Sequence, residues 1–299
     1  MPKLIAIMGP TGSGKSTVAE ALADHIGAQL INADAFMVYR GFDIGTNKPT
    51  DRSRYELLDI CEPEEQFGVG EWIASCLPIL ERCFKAGQDV IVVGGTGLYI
   101  RSLFENYSKM QPAPDPELRA QIQRRINTEG LEAVFEELRC LAPEVAEKLD
   151  ARNPARVQRA LERVLSPQPE ITWELPAFEK CKFGLIVSPD LLEIALSGRI
   201  DTMVRTGWAE EVRRILSHGV TDRAPAMRAI GYQTMSQFVN GQISEADMRA
   251  EIFVATRQYA KRQRTWMRSE PGLMQLEIAS MDALSYEIAT KMAAETLRM

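Results

Sequence analysis

Residues 5–22 read IAIMGPTGSGKSTVAEAL, and this stretch decides the fold. A short apolar run with the character of a buried strand leads into eight residues that begin at Gly9. These eight fit G-x-x-x-x-G-K-[ST], the Walker A phosphate-binding pattern. Behind them, Val18, Leu22 and Ile26 recur at the spacing of a helix face. A strand, a glycine-rich turn and a helix in this order predict a phosphate-binding loop.

Composition limits the class of protein. The 299 residues are 45% hydrophobic, which is enough for one large domain or for a core with a second lobe. Because there is neither a run of about 18 apolar residues nor a signal peptide, we expect a cytoplasmic protein without a membrane partner. The two histidines and five cysteines, none in a C-x-x-C pair, disfavour a zinc site. The net charge of −6 disfavours nucleic-acid binding over the whole surface but allows a local basic face.

Further strand signals alternate with helical ones. AQLINAD reads as a second buried strand that ends at Asp34, and VIVV as a third that ends in GGTG, which contains Thr96. Between them, residues 69–87 read as a helix that Pro78 kinks or divides. We predict an α/β fold with a parallel sheet of the P-loop NTPase type. Since ligands bind at the carboxyl ends of such strands, the loop, Asp34 and Thr96 are expected to share one site.

Two proline-rich stretches, MQPAPDPELR and SPQPEITWELP, bracket a charged, helical region without a clear strand. They predict an inserted helical lobe over residues 113–175, with the catalytic core formed by residues 1–112 and 176–299. KFGLIVSP then reads as a strand that returns the chain to the sheet, and helical patterns follow to the end.

The predicted loop has a defined chemistry. Its backbone amides converge on phosphate oxygens, Lys15 reaches a terminal phosphate, and Ser16 or Thr17 supplies a hydroxyl to Mg²⁺. The predicted phosphate-binding residues are therefore Gly9, Thr11, Gly12, Ser13, Gly14, Lys15, Ser16 and Thr17. The most apolar later strand ends without the Mg²⁺-holding carboxylate that is usual in nucleotide hydrolases and kinases. The remaining strand-end acid, Asp34, holds a metal, acts as a base or caps a helix, and the residue pattern alone leaves these three roles open.

Five further stretches follow the loop in a fixed order: NADAFMVYRGFDIGTNKP, VVGGTGLYI, ARNPARVQRALE, AMRAIGYQ and TRQYAKRQRTWMR. Together the six motifs resemble those of bacterial tRNA dimethylallyltransferases, from residue 5 to about residue 270. The resemblance implies transfer of a dimethylallyl group from dimethylallyl diphosphate to the exocyclic amine of the adenosine just 3′ of the anticodon. The partners would be that donor and a tRNA anticodon stem-loop, with Mg²⁺ as cofactor, and the protein is expected to be a monomer.

The resemblance also implies the catalytic roles. Asp34 would take the proton from the attacking amine, and Thr96 would orient the adenine. Arg199, in GRIDTM, would join the loop in neutralising the leaving diphosphate. The family usually has serine after the aspartate, whereas this chain has Ala35. With Phe36 and Met37, Ala35 occupies positions that would contact the acceptor RNA.

Other predicted tRNA contacts lie in three of the motifs. TRQYAKRQRTWMR contains no acidic residue, and its basic side chains would grip phosphates. Arginines and a glutamine of the helical lobe, and residues of AMRAIGYQ, would add contacts, although Tyr232 is equally well explained by core packing. The predicted residues are Arg119, Arg156, Gln158, Arg159, Arg228, Gly231, Tyr232, Lys261, Arg262, Arg264 and Arg268.

Three other functions are compatible with parts of the sequence. An isopentenyltransferase that acts on free adenine nucleotides would share the loop and Asp34, but would not need the basic stretch or the full helical lobe. A P-loop small-molecule kinase would share the loop alone. A tRNA-binding protein that has lost catalysis would fit the departure at Ala35.

Overall fold

A parallel sheet organises the computed structural model, which describes residues 1–105, 115–167 and 174–298. Within these residues the sheet has six strands: β1 Lys3–Met8, β2 Gln29–Asn32, β3 Tyr55–Glu56, β4 Val90–Gly94, β5 Glu179–Val187 and β6 Leu273–Ile278. Their order across the sheet is β3-β2-β4-β1-β5-β6. The chain therefore crosses from one side of β1 to the other between β4 and β5. Open α/β sheets bind ligands at the carboxyl edge beside such a switch point.

The helices of the described residues are α1 Lys15–Ile26, α2 Val69–Lys85, α3 Gly97–Phe104, α4 Pro116–Glu129, α5 Leu131–Leu141, α6 Pro143–Glu147, α7 Pro154–Leu165, α8 Pro189–Arg205, α9 Trp208–Ser217, α10 Tyr232–Val239, α11 Glu245–Arg268 and α12 Ala283–Thr296. Short 3₁₀ helices cover Arg52–Arg54 and Pro225–Arg228. Among the helices so described, none is long and apolar enough to cross a membrane. The alternation of strand and helix confirms the predicted α/β class.

The chain divides into two compact units. One, the core unit, comprises residues 1–107 and 174–299, and the other, the helical unit, comprises residues 108–173. In the core unit, β1, β4 and β5 pack with α1 and α12 around fully buried side chains such as Ile5 and Phe183. A second cluster in the same unit gathers around Trp208 and Tyr232. The helical unit has an apolar core of its own, which includes Val134 and Leu161.

Two features of the sheet differ from the prediction. The sequence beyond β5 was expected to be helical throughout, but β6 is a strand that pairs in parallel with β5 from Leu273 to Ile278. Only alternate residues near its end, Leu276 and Ile278, are buried, which is the pattern of an edge strand with one covered face. The two-residue β3 was also not predicted, because a pair of residues has no periodicity to detect.

Pro78 neither divides nor ends its helix. α2 runs without a break from Val69 to Lys85, with Pro78 on the exposed side. A proline inside a helix leaves the carbonyl four residues earlier without an amide partner. Here that carbonyl belongs to Ala74, an exposed residue on the solvent side of the helix. Of the two predicted effects of Pro78, division of the helix is therefore wrong.

Candidate active site

The phosphate loop lies between β1 and α1, at the carboxyl edge of the sheet. Gly12 and Gly14 have φ values of 84° and 80°, a left-handed conformation that glycine adopts without strain. A Cβ atom at Gly9 would lie 2.4 Å from Ser13 Oγ, so any other residue there would displace the Ser13 hydroxyl. The Ser13 hydroxyl is buried and has no hydrogen-bond partner among the residues that the structure describes. A buried polar group in this state fits an oxygen of a bound ligand.

Three charged side chains meet beside the loop. Burial, followed by the neighbouring charge of Arg199, lowers the pKa of Lys15 to about 8, and the Asp34 carboxylate acts in the opposite direction. Burial likewise lowers the pKa of Arg199 to about 10, again opposed by Asp34. Two cations thus face one carboxylate in a poorly solvated space. This arrangement has an excess of positive charge and suits an anionic ligand.

Backbone and amide contacts fix the position of Asp34, which follows β2 by two residues. The buried Asn32 accepts a hydrogen bond from the Asp34 amide at 2.9 Å and donates from Nδ2 to the Asp34 carbonyl at 3.2 Å. The Asp34 carboxylate accepts the Phe36 amide at 2.9 Å, which leaves its second oxygen available. Asn32 was not identified from the sequence, although it stands in the same NAD triplet.

The turn after β4 is joined to the turn after β2, because these strands are neighbours. The Ala35 amide donates to Thr96 Oγ1 at 3.2 Å, and the Thr96 amide donates to the Ala33 carbonyl at 3.3 Å. A Cβ atom at Gly94 would lie 2.2 Å from that carbonyl oxygen, which explains the first glycine of GGTG. The structure therefore brings Thr96 beside Asp34, as the sequence predicted.

Two uncharged residues of α11 enter this site and were missed at the sequence level. The Gln263 side chain, 6% exposed, accepts the Thr11 amide at 2.7 Å and donates to the Gly95 carbonyl at 3.0 Å. Tyr259 lies one turn earlier. Burial and the Asp34 carboxylate raise its pKa, opposed by side-chain hydrogen bonds with Thr96 and Gln263 and by the charge of Arg262. The helix thus contacts both the phosphate loop and the turn after β4.

An apolar-walled pocket opens between these groups. Thr11, Asp34, Arg199 and Tyr259 are among its polar residues. Much of the remaining wall consists of apolar side chains from five parts of the core unit, namely Phe36, Leu196, Ile200, Met203, Trp208, Ile230 and Ile252. A site that combines a phosphate loop, two cations, a carboxylate and an apolar chamber suits a ligand with an anionic end and a hydrocarbon end.

Comparison with known proteins identifies the family. The family model described as IPP transferase matches residues 37–270. This chain belongs to the IPP transferase family. The tRNA dimethylallyltransferase of Acaryochloris marina is 36% identical over 294 residues, which cover 95% of each chain. That of Thermomicrobium roseum is 37% identical over 273 residues, 89% of this chain and 83% of the relative.

Solved structures agree with this result. The full-length tRNA isopentenylpyrophosphate transferase from Bacillus halodurans superposes with a TM-score of 0.70 at 28% identity, over 100% of this chain and 98% of that one. A eukaryotic dimethylallyltransferase acting on tRNA gives a TM-score of 0.78 at 23% identity, over 98% of this chain and 78% of that one. Because the sequence identity of this second pair is only 23%, its similarity is evidence for the fold alone. The fold of this chain is thus shared with a solved structure of the same family over almost the whole chain.

The basic residues of α11 divide between two faces of the helix. Arg257, Lys261, Arg264 and Arg268 line a groove against α8, where Glu193 pairs with Arg257 at 3.2 Å. Arg262 instead lines the apolar-walled pocket. Trp266, one turn after Arg262, lies on the same side of the helix. The Arg101 guanidinium lies 4.2 Å from the centroid of the Trp266 ring. The four cations predicted to contact tRNA, namely Lys261, Arg262, Arg264 and Arg268, therefore do not form one surface.

Two of the three residues of AMRAIGYQ that were predicted to contact tRNA have a structural role inside the protein. Tyr232 is completely buried and donates its hydroxyl to Glu211 at 2.7 Å, so the predicted tRNA contact of its side chain is wrong. Gly231 has a φ of 89°, and a Cβ atom there would lie 2.3 Å from Trp208. The close approach that this glycine permits includes internal packing against Trp208, and its contact with RNA stays a prediction. Arg228 is exposed and lines the pocket.

The helical unit brings its predicted residues together around a buried carboxylate that was not predicted. Glu162, 1% exposed, accepts from Arg119 Nε at 3.0 Å and from Arg159 Nη1 at 3.4 Å. Gln158 donates to the Arg119 carbonyl at 2.9 Å, so its amide nitrogen is engaged within the unit. Arg156 is exposed. Glu162 therefore holds two of the predicted tRNA-binding arginines in place.

Proposed function

We propose that this protein is a tRNA dimethylallyltransferase. It moves a dimethylallyl group from dimethylallyl diphosphate to the exocyclic amine of the adenosine just 3′ of the anticodon and releases diphosphate. We further propose that it works as a monomer in the cytoplasm. The observation that carries the proposal is the shared site, in which Arg199 and Asp34 line an apolar-walled pocket and both interact electrostatically with Lys15 of the phosphate loop.

Each part of the pocket meets one requirement of allylic transfer. Breaking the bond between the allylic carbon and the diphosphate oxygen places negative charge on the leaving group, which the loop amides, Lys15 and Arg199 stabilise. The hydrocarbon wall accepts the five-carbon chain and excludes water, which would otherwise intercept the electrophilic carbon. Leu196 and Ile200, from the same helix as Arg199, place this wall next to the diphosphate charges.

The acceptor side supplies the base. As the amine nitrogen forms its bond to the allylic carbon, it must lose a proton, and the free carboxylate oxygen of Asp34 takes it. Thr96 accepts the Ala35 amide with its oxygen and shares a side-chain hydrogen bond with Tyr259, so two neighbours hold in place the hydroxyl that would orient the adenine. Tyr259, against Thr96 and Asp34, completes this side of the site.

Mg²⁺ fits the donor residues that are present. Mg²⁺ commonly binds one or two protein oxygens together with phosphate oxygens and waters. Ser16 offers its hydroxyl at the start of α1 beside the loop, and the exposed Thr17 follows it. When bound, the ion would neutralise charge on the diphosphate. We propose Ser16 as its protein ligand, because this residue occupies the last position of the loop pattern.

The acceptor distinguishes this function from transfer to free adenine nucleotides. A free nucleotide needs no more than the pocket. The basic groove of α11 and the arginines held by Glu162 lie outside the pocket-lining set and suit an extended polyanion. The relatives that match almost the whole chain are also named as enzymes of tRNA. For these reasons we favour tRNA as the acceptor.

The test supplies labelled dimethylallyl diphosphate and Mg²⁺ to the purified protein. Acceptors are an anticodon stem-loop with adenosine 3′ of the anticodon, the same stem-loop with guanosine there, AMP and ATP. We expect label on the first stem-loop alone. Label on AMP or ATP would replace the proposal by transfer to free nucleotides. No label on any acceptor, with the stem-loop still bound, would indicate a binding protein without this chemistry.

A further inference from the structure

We propose that Gln263 is a positioning residue that fixes the distance between the donor and the acceptor halves of the site. The inference rests on the proposed function, since it assigns the phosphate loop to the donor and the turn after β4 to the acceptor. Gln263 touches neither substrate in this scheme. It acts by joining the two backbone segments that hold them.

The geometry of the link is specific. Gln263 Oε1 accepts from the Thr11 amide in the phosphate loop, and Nε2 donates to the Gly95 carbonyl in the turn that carries Thr96. Only one orientation of the amide satisfies both partners, because the loop offers a donor and the turn offers an acceptor. No aliphatic side chain, and neither a carboxylate nor an ammonium group, can make both contacts.

The link crosses a gap that the sheet itself does not close. β1 and β4 are neighbours and pair as far as Met8 and Gly94, but the loop and the turn begin beyond the last paired residues. Beyond that point, the two segments that carry the reacting groups depend on side chains to fix their separation. Gln263, 6% exposed, lies between them with both ends of its amide engaged.

The turn is shaped to receive this amide. A Cβ atom at Gly95 would lie 1.9 Å from Gln263 Nε2, so any other residue at 95 would displace the side chain. Gly95 has no left-handed φ that would require glycine for backbone reasons. The close approach of Gln263 therefore accounts for the second glycine of GGTG.

The helix behind Gln263 is anchored at the same turn. A Cβ atom at Gly97 would lie 2.3 Å from Trp266, so α11 packs directly on the start of α3. Arg101 lies over the Trp266 ring and also pairs with the buried Glu270 just beyond the end of α11. A side chain fixed to an anchored helix can hold two loops in register, which is what a positioning role requires.

The decisive variant is Gln263→Met, which keeps the volume of the side chain and removes both hydrogen bonds. A misplacement of about 1 Å between reacting groups costs on the order of 10²-fold in rate. We therefore expect kcat to fall by about 10- to 100-fold in the labelled-donor assay, while the KM values for donor and stem-loop change by less than about threefold. Calorimetric binding of inorganic diphosphate, and of the stem-loop, should remain near wild type. A role in folding alone would instead reduce the active fraction and the thermal stability.

Gly95→Ala tests the same link from the other side, in case Gln263→Met does not fold. We expect it to lower kcat with the same pattern of KM values, because the new methyl group displaces the Gln263 amide. In a Gln263→Ala background the methyl group has room, so the double variant should be no slower than Gln263→Ala alone. Independent effects would multiply instead. Gln237→Met, an exposed glutamine of α10, is the matched control and should behave as wild type.

The outcomes separate the two proposals. Absence of transfer by the wild-type protein would overturn the proposed function, and the inference with it. Normal turnover by Gln263→Met or by Gly95→Ala, beside an active wild type, would overturn the inference alone. Loss of diphosphate or stem-loop affinity in proportion to the loss of rate would also overturn it, because the link would then support binding and not position. A selective loss of kcat with the non-multiplying double variant would establish it.

Discussion

At the level of single residues, the site depends on the charge balance among Lys15, Arg199 and Asp34. The carboxylate has two roles, since it is the proposed base and also supports the charge on both cations. At Ala35, the backbone amide and not the side chain holds Thr96. A serine at this position is therefore not required for that contact.

Asp34→Asn should separate the two roles of this carboxylate. The new amide oxygen can still accept the Phe36 amide that the carboxylate accepts at 2.9 Å, so the local turn is kept. Loss of the base should lower kcat by about 10²- to 10⁴-fold. At a pH well below 8, where Lys15 is protonated in both proteins, binding of inorganic diphosphate should not weaken, because a nearby anion has been removed. Single-turnover transfer and calorimetry check both points, and unchanged turnover would eliminate Asp34 as the base.

The lowered pKa of Lys15 predicts a pH dependence of donor binding. The protonated lysine binds the diphosphate, so affinity should fall as the pH rises through about 8, by up to about tenfold per pH unit for one linked proton. In Asp34→Asn the midpoint should move to lower pH, since the group that raises the Lys15 pKa is gone. Calorimetry with inorganic diphosphate measures this. Lys15→Met is the control, because any step that persists in it belongs to the ligand.

At the level of elements, α11 shows what a sequence can and cannot predict. Its basic face was predictable, because Lys261, Arg264 and Arg268 recur without an intervening acid. The opposite face was not, because Gln263 and Tyr259 are uncharged and their role depends on loops that are distant in sequence. Glu162 was missed for a similar reason, since a carboxylate among arginines reads as a solvated surface pair until its burial is known.

The strands also differ in how well the sequence predicts them. β1, β2, β4 and β5 were predictable because strands covered on both faces have nearly continuous apolar sequences. β6 was not, because its short run of alternating residues lies between two long helices and gives little periodic signal. Its position as an edge strand is specified by its pairing with β5, which is a tertiary contact.

Substitutions on the two faces of α11 should have different effects, one on stem-loop binding and the other on transfer. Removing charge at Lys261, Arg264 and Arg268 should weaken binding of the stem-loop. The slope of log affinity against log salt should fall by about 0.7 to 0.9 for each phosphate that these side chains neutralise in the wild type. Arg262→Ala, on the pocket side, should leave that slope unchanged and reduce transfer instead. Arg213→Ala, an exposed arginine of α9, removes the same charge elsewhere and is the control. An unchanged slope in the triple variant would place the RNA on another surface.

At the level of the whole molecule, the chain joins two units that each have their own apolar core. Within the core unit, the segments on either side of the helical unit lie next to each other. Lys180 Nζ donates to the Phe104 carbonyl at 2.6 Å, and Lys182 pairs with Glu105 at the same distance. The two segments that flank the helical unit therefore contact each other within the core unit, which makes replacement of the insertion by a short linker a direct test of its role.

Replacing residues 108–173 by a Gly/Ser linker of about six residues should give a folded core that has lost part of its RNA binding. The phosphate loop, Asp34 and Arg199 all belong to the core unit, so calorimetric affinity for inorganic diphosphate should match that of the full chain. The proposed RNA contacts of Arg119 and Arg159 are removed, so stem-loop affinity should fall by at least about tenfold, or roughly 1.4 kcal/mol. In the full chain, Glu162→Gln, which weakens the hold on both arginines, should produce a smaller loss in the same direction. Full stem-loop affinity in the shortened protein would show that the core unit alone holds the RNA. Loss of diphosphate binding together with stem-loop binding would show instead that the core does not fold without the insertion.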